Sequence, residues 1–272
     1  MQDGHPIAST VLGLIGTICW CIQLIPQIYY NWARKSTDGL PASMMMIWAV
    51  SGIPFGVYAI IQNLNIPLQV QPQIFMALAL TSWGQCKRYA GSWKRPTSAI
   101  VSLALLLLFG GLEAMLILTL RPVYNRGVHY PMTIVGVIAA VLLAAGLIPP
   151  YFEIAKRRGR VVGINFVFLA VDWFGAFFSL MSLIAQNEFD VLAGIMYIIC
   201  MTLETGIFGC QAVWLATHWR QWREERREKG ENGGKELEDA GSVVVVDDEK
   251  TVGAGSTASL SIREGEATQT KP

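Results

Sequence analysis

Seven stretches of mostly apolar residues, near 8–30, 42–62, 68–86, 98–120, 131–155, 163–185 and 191–215, constrain this chain more than any other feature. A helix that crosses a bilayer needs about 20 such residues and satisfies its backbone hydrogen bonds internally. Charged residues make up 15% of the sequence, against roughly a quarter in soluble domains. Mean hydropathy is +0.41. The expectation is an all-α bundle of seven transmembrane helices. The stretch 68–86 is diluted by Gln71, Gln73, Thr81, Ser82 and Gln85. It is retained because the charge of the loops alternates only if it crosses.

The basic residues fall on one side of that pattern. Arg34 and Lys35, Lys87, Arg88, Lys94 and Arg95, then Lys156, Arg157, Arg158 and Arg160 lie in alternate loops. Arg220, Arg223, Arg226, Arg227 and Lys229 follow the last span, whereas the other side carries only Arg121 and Arg126. Basic loops stay in the cytosol, so the N-terminus is expected outside or in a lumen and the C-terminus inside. The first apolar run lacks a basic flank and a small-residue cleavage site, which predicts a retained helix. After the last span, THWRQWREERREK reads as an interfacial helix or as ordinary basic flanking. From about Gly230 the composition predicts a disordered tail.

The two halves of the bundle repeat each other. GLIGTICWCIQLIPQIYYNWARKSTDGL aligns with GVIAAVLLAAGLIPPYFEIAKRRGRVVGI, placing Gly13 on Gly136, Leu24-Ile25-Pro26 on Leu147-Ile148-Pro149 and Gly39 on Gly163. Gly52 and Phe55 then match Gly175 and Phe178. Each half is three helices, and the single helix between them makes the repeat parallel, a 3+1+3 arrangement. The expected organisation is a first repeat (8–86) with a linker helix (98–120) within 1–120, a second repeat within 121–216, and a cytosolic juxtamembrane helix and tail over 217–272.

These residues resemble the PQ-loop family of membrane proteins, marked by a Pro-Gln pair near the cytosolic end of the first helix of each half. LIPQIYYNWARKSTDGL carries the pair as Pro26-Gln27, while the second half has Pro149-Pro150 in its place. The family includes lysosomal and vacuolar exporters of cationic amino acids and cystinosin-like carriers. The resemblance implies a central solute pathway, an amino acid as solute, coupling to protons and a vacuolar or lysosome-like membrane.

Proline inside a helix removes a hydrogen bond and clashes with the preceding turn. Pro26 and Pro149 at matching depths therefore predict hinges for gating, with Pro150 stiffening the second and Gln27 adding an amide to the first.

Ionisable residues at membrane depth are costly and mark pathways or proton relays. Asp172 shares a small, polar helical face with Asn165, Gly175, Ala176 and Ser179, and Glu204 shares one with Tyr197, Cys200, Phe208 and Gln211. Asp172, Glu204 and Asn165 are the expected proton or substrate residues. Trp20, Gln23, Trp48 and Tyr197 are the expected pathway wall. Glu113, in the linker helix, reads as packing or as reaching outward, and Glu153 reads as a salt bridge to Lys156 and Arg157.

No nucleophile–base pair, metal-ligand cluster or disulfide framework is visible, so no enzyme, metal or cofactor is expected. The leading reading is a secondary transporter of a small polar or cationic solute, with protons and the bilayer as further partners and no nucleic acid. The alternative is a receptor or scaffold that binds a ligand without transport.

Overall fold

The computed structural model describes residues 6–64, 66–91, 93–185 and 191–220, with Arg223 and Arg227. Among the described residues there are nine helices and no strand: α1 (Pro6–Ile22), α2 (Leu24–Arg34), α3 (Ala42–Ile61), α4 (Ile66–Tyr89), α5 (Arg95–Asn125), α6 (Tyr130–Gly146), α7 (Ile148–Lys156), α8 (Phe166–Ile184) and α9 (Val191–Thr217). Residues 1–216 form one compact unit. The expected juxtamembrane helix and tail lie almost wholly outside the described residues.

Nine helices make seven rods because two of the expected spans are broken. Pro26 has no N–H to give the Ile22 carbonyl, and α1 ends there, leaving Gln23 as the link to α2. In the second half Pro149 and Pro150 withhold donors from the Ala145 and Gly146 carbonyls. The Leu147 N–H turns to Ala144 O at 3.0 Å, and α6 gives way to α7. Pro54, by contrast, sits inside an unbroken α3.

Six of the rods are long and apolar enough to cross a membrane by composition. The seventh, α4, has 24 residues, about 36 Å of helix, and is polar for a structural reason. Gln71 and Ser82 are buried, the Gln73 amide donates to Glu113, and the Gln85 amide donates to the Ile28 carbonyl. Most of its polar side chains thus face protein. The chain is thus an all-α, multi-pass membrane protein.

α1 runs along α8, and α3 lies between α4 and α6. The main core joins Leu24, Met44, Met45 and Trp48 to Phe75, Leu80, Phe168 and Ile207. α5 is peripheral: only Ser98, Phe109 and Glu113 are buried along it, and Leu103, Leu107 and Leu118 are exposed as lipid-facing residues are.

The loops after α2 and α7 cross closely. Gly39 and Gly163 have φ of +84° and +83°, a region glycine enters without the penalty of a Cβ. A Cβ at Gly39 would overlap the Val162 carbonyl, and one at Gly163 the Asp38 carbonyl. Arg157 clips the same crossing, donating to Asp38 at 2.7 Å and Glu153 at 2.9 Å, with Lys156 3.6 Å from Glu153. These partners hold the Arg157 guanidinium above its ordinary pKa.

Candidate functional site

Two tryptophans set the geometry at the centre of the bundle. A Cβ at Gly175 would overlap the Trp20 indole, which approaches α8 across that glycine and donates to the Asp172 carbonyl at 3.2 Å. The Trp48 indole approaches α6 across Gly146 in the same manner and donates to the Leu143 carbonyl at 3.0 Å. Each indole therefore bonds the carbonyl three residues before the glycine it covers. Only a glycine leaves room for that approach.

Between these clasps lies a cavity. Trp20, Trp48, Phe55 and Phe75 supply aromatic walls, Leu143 and Leu147 flank the α6–α7 break, and Gln23, Gln71, Asp172, Cys200 and Glu204 supply polar atoms. With its amide nitrogen turned toward it, Gln23 donates to both Asp172 oxygens, at 3.0 Å for Oδ2. Glu204 is 1% exposed and lies within hydrogen-bonding reach of the Asp172 carboxyl, and no other group donates to its oxygens. The Gln71 Oε1 is also unpartnered. The space open to water centres is about 30 Å³, room for one or two waters and too little for an amino acid.

The helix carrying Glu204 is fixed from two sides. The Tyr151 hydroxyl donates to the Leu203 carbonyl, and the Trp173 indole donates to Thr205 Oγ1 at 3.0 Å. Further along α9, Gln211 Oε1 accepts from the Val161 N–H at 2.9 Å.

The Pro-Gln pair sits elsewhere. Gln27 is completely buried and bridges α2 to the residues before α8. Its Nε2 donates to the Gly163 carbonyl at 2.9 Å and to Asn31 Oδ1 at 2.8 Å. Its Oε1 accepts from the Asn165 N–H at 2.7 Å. Asn31 extends the chain to Gln85 at 2.9 Å. The Pro26 carbonyl accepts from Asn165 Nδ2 at 3.3 Å.

Of the residues singled out in the sequence, Trp20, Gln23, Trp48, Asp172 and Glu204 line one cavity. Asn165 does not belong to it: it caps α8, its Oδ1 accepting from the Val167 N–H at 2.7 Å. Tyr197 lies outside as well, with its ring 5.4 Å from that of Trp20. Pro149 and Pro150 open α7 rather than face the cavity. Glu113 points inward, contrary to an outward reach; it is 4% exposed and accepts from Gln73 Nε2 at 2.5 Å. Gln71 was read only as dilution of a weak span. Its signal was an amide in an apolar run, which becomes informative only once α4 is known to face the cavity.

Among the described residues no group of three or more His, Cys, Asp or Glu is placed to hold a metal ion. What the cavity offers is acceptors: two carboxyls and an amide oxygen inside aromatic walls. That suits a cation, which carboxylates attract and aromatic faces stabilise.

The PQ loop repeat model matches residues 8–68, the segment that holds most of α1, all of α2 with the Gln27 bridge, and α3. An uncharacterized membrane protein of Saccharomyces cerevisiae is 47% identical over 208 residues, covering 76% of this chain and 67% of its own length. An uncharacterized protein of Schizosaccharomyces pombe is 44% identical over 206 residues, covering 75% of this chain and 72% of its own. The vacuolar lysine transporter of Saccharomyces cerevisiae is 32% identical over 84 residues, which are 30% of this chain and 27% of that protein. Together with the buried Pro26-Gln27 pair, these matches establish that the chain belongs to the PQ-loop repeat family of membrane proteins.

Proposed function

We propose that the protein is a secondary transporter of a small cationic amino solute in a vacuolar membrane, and that it moves the solute out of the acidic lumen together with protons. The observation that carries this reading is the convergence of Asp172, Glu204 and Gln71 on one aromatic-walled cavity at membrane depth, with the two carboxyls in reach of each other and the Gln71 oxygen unpartnered. Two buried carboxyls side by side favour a bound cation or a shared proton. The vacuolar membrane and the basic solute draw support from the name of the yeast lysine transporter.

The two halves act as a parallel 3+1+3 repeat, N-terminus luminal and C-terminus cytosolic. Support comes from matched features: the crossing at Gly39 and Gly163, the breaks at Gln23 and Leu147, and the paired tryptophan clasps. Gln27, with the loop crossing, closes the cytosolic end. Pro26, Pro149 and Pro150 place the hinges about which that end opens, and Asp172 and Glu204 hold the proton and the solute on the way out.

Proteoliposomes preloaded with labelled lysine, with an acidic interior, test the proposal. Efflux above empty vesicles is expected, and it should collapse when a protonophore removes the gradient. Absence of efflux of lysine, arginine or histidine from correctly folded protein refutes the transporter reading.

A further inference from the structure

A second recess opens at the end of the bundle that carries the start of α1. Its volume is about 400 Å³, and it is lined by Ser9, Thr17, Leu68, Ser179, Ser182 and Tyr197 among others. Cavities that hold small molecules have about 300–1,000 Å³. Among the described residues the lining is rich in hydroxyls and carries no charged side chain.

The recess and the central cavity are stacked one helical turn apart on three separate helices. Thr17 lines the recess and Trp20 the cavity on α1; Leu68 and Gln71 do so on α4; Tyr197 and Cys200 do so on α9. Residues three apart lie on the same helical face, so each face runs from one space into the other. At the division the Trp20 and Tyr197 rings meet, with centroids 5.4 Å apart at 56°. On the α8 side, Gly16 and Gly175 bring α1 so close that a Cβ at either position would overlap Ser179 or Trp20.

We propose that the recess is the entrance through which the solute reaches the cavity, and that the Trp20–Tyr197 pair is the barrier between them. The inference rests on the transporter reading for its purpose, but the barrier itself is a property of the fold. Small polar solutes enter among the hydroxyls, and the rings part to admit them to the carboxyls. Gln71 is the first cavity acceptor they meet along α4.

The native cysteines make the barrier measurable without transport. Cys200 lies behind it, and Cys86 is buried 3% exposed near the far end of α4. The full-length protein in detergent is treated with 2-aminoethyl methanethiosulfonate, and modification of each cysteine is followed by peptide mass spectrometry. A Leu68→Cys variant should label rapidly, while Cys200 and Cys86 of the parent stay protected. Tyr197→Ala should speed labelling of Cys200 by about tenfold or more and leave Cys86 protected; Tyr197→Phe, which keeps the ring, should not. Trp20→Leu provides the same test if Tyr197→Ala does not fold.

Protection of Leu68→Cys equal to that of Cys86 would overturn the entrance. Unchanged Cys200 labelling in a folded Tyr197→Ala or Trp20→Leu protein, or joint exposure of Cys86, would overturn the barrier. Failure of efflux with the labelling pattern intact removes the transporter reading and leaves the barrier standing.

Discussion

Replacing Gln27 with leucine isolates what the Pro-Gln glutamine does. The side chain is fully buried, and leucine is close to it in size, so little cavity is left and the loss is one of hydrogen bonds. Two backbone groups lose their partner: the Gly163 carbonyl, bonded at 2.9 Å, and the Asn165 N–H, bonded at 2.7 Å. Leaving a buried polar group unsatisfied costs about 1–3 kcal/mol, and Asn165 is only partly buried, so the pair amounts to about 2–5 kcal/mol. The fully buried Asn31 Oδ1 loses its donor as well, since the bond Asn31 keeps to Gln85 runs from its Nδ2, and this places the loss toward the upper end of that range. For a chain of this size 1 kcal/mol moves the unfolding midpoint by about 2–4 °C, which predicts a drop of about 5–15 °C for Gln27→Leu. Thermal unfolding of the detergent-solubilised protein, followed by tryptophan fluorescence at a fixed scan rate, measures it. Gln27→Glu keeps an acceptor for the Asn165 N–H but turns an oxygen toward the Gly163 carbonyl, so it should fall at least as far. A midpoint within about 2 °C of the parent for Gln27→Leu would mean that these bonds do not hold the loop to α2.

The other predictions concern the cavity and its supports. Asp172→Asn should slow proton-driven efflux and flatten its pH dependence; an unchanged pH profile would remove Asp172 from the proton pathway. Gln71→Leu should raise the KM for a cationic solute about fivefold, the worth of roughly one hydrogen bond, with little change in thermal stability, and an unaltered KM would exclude contact with solute. Gly175→Ala should cost about 1–3 kcal/mol by overpacking against the Trp20 ring. Trp20→Phe in the same chain should recover part of that loss, whereas additive losses would show that ring and glycine do not meet. Arg157→Gln should change stability by less than about 1 kcal/mol, because the pair with Asp38 is partly open to water; a larger loss would make the clip a principal tie between the loops.

The apolar runs made six membrane-length helices legible, and α4 was recoverable as a helix of the bundle only through the alternation of basic loops, since several of its amides face protein. Pro26 and Pro149 foretold broken helices, but the breaks fall upstream, at Gln23 and Leu147, where the carbonyls deprived of donors begin. Asp172 and Glu204 stood out because an acid in an apolar run is expensive. Their position beside Gln23 and Gln71 did not, because it depends on which helices neighbour one another. The same gap hid the role of Asn165: its place on a helical period suggested the Asp172 face, but α8 begins one residue later and Asn165 is its cap. Glycine matches in the repeat were visible as letters. That one of them, Gly175, meets a tryptophan of the opposite half was not, and Gly146, which Trp48 covers, stands opposite Gln23 in the repeat.

Those two clasps locate the difference between the halves. At α6, Trp48 bonds the Leu143 carbonyl, whose normal helical donor, the Leu147 N–H, has turned to Ala144. The indole there replaces a bond that the break removed, so it ties α3 to a hinge. At α8, Trp20 bonds the carbonyl of Asp172 in the middle of a continuous helix, so it adds a second bond to a carbonyl the helix already uses. Its effect is to hold the backbone from which the carboxyl projects toward Gln23. One device thus serves two ends: it stabilises a broken helix in one crossing and positions an acid in the other. If the hinge moves, Trp48 loses its partner while Trp20 keeps its own, and the carboxyl stays in place as the path beside it opens.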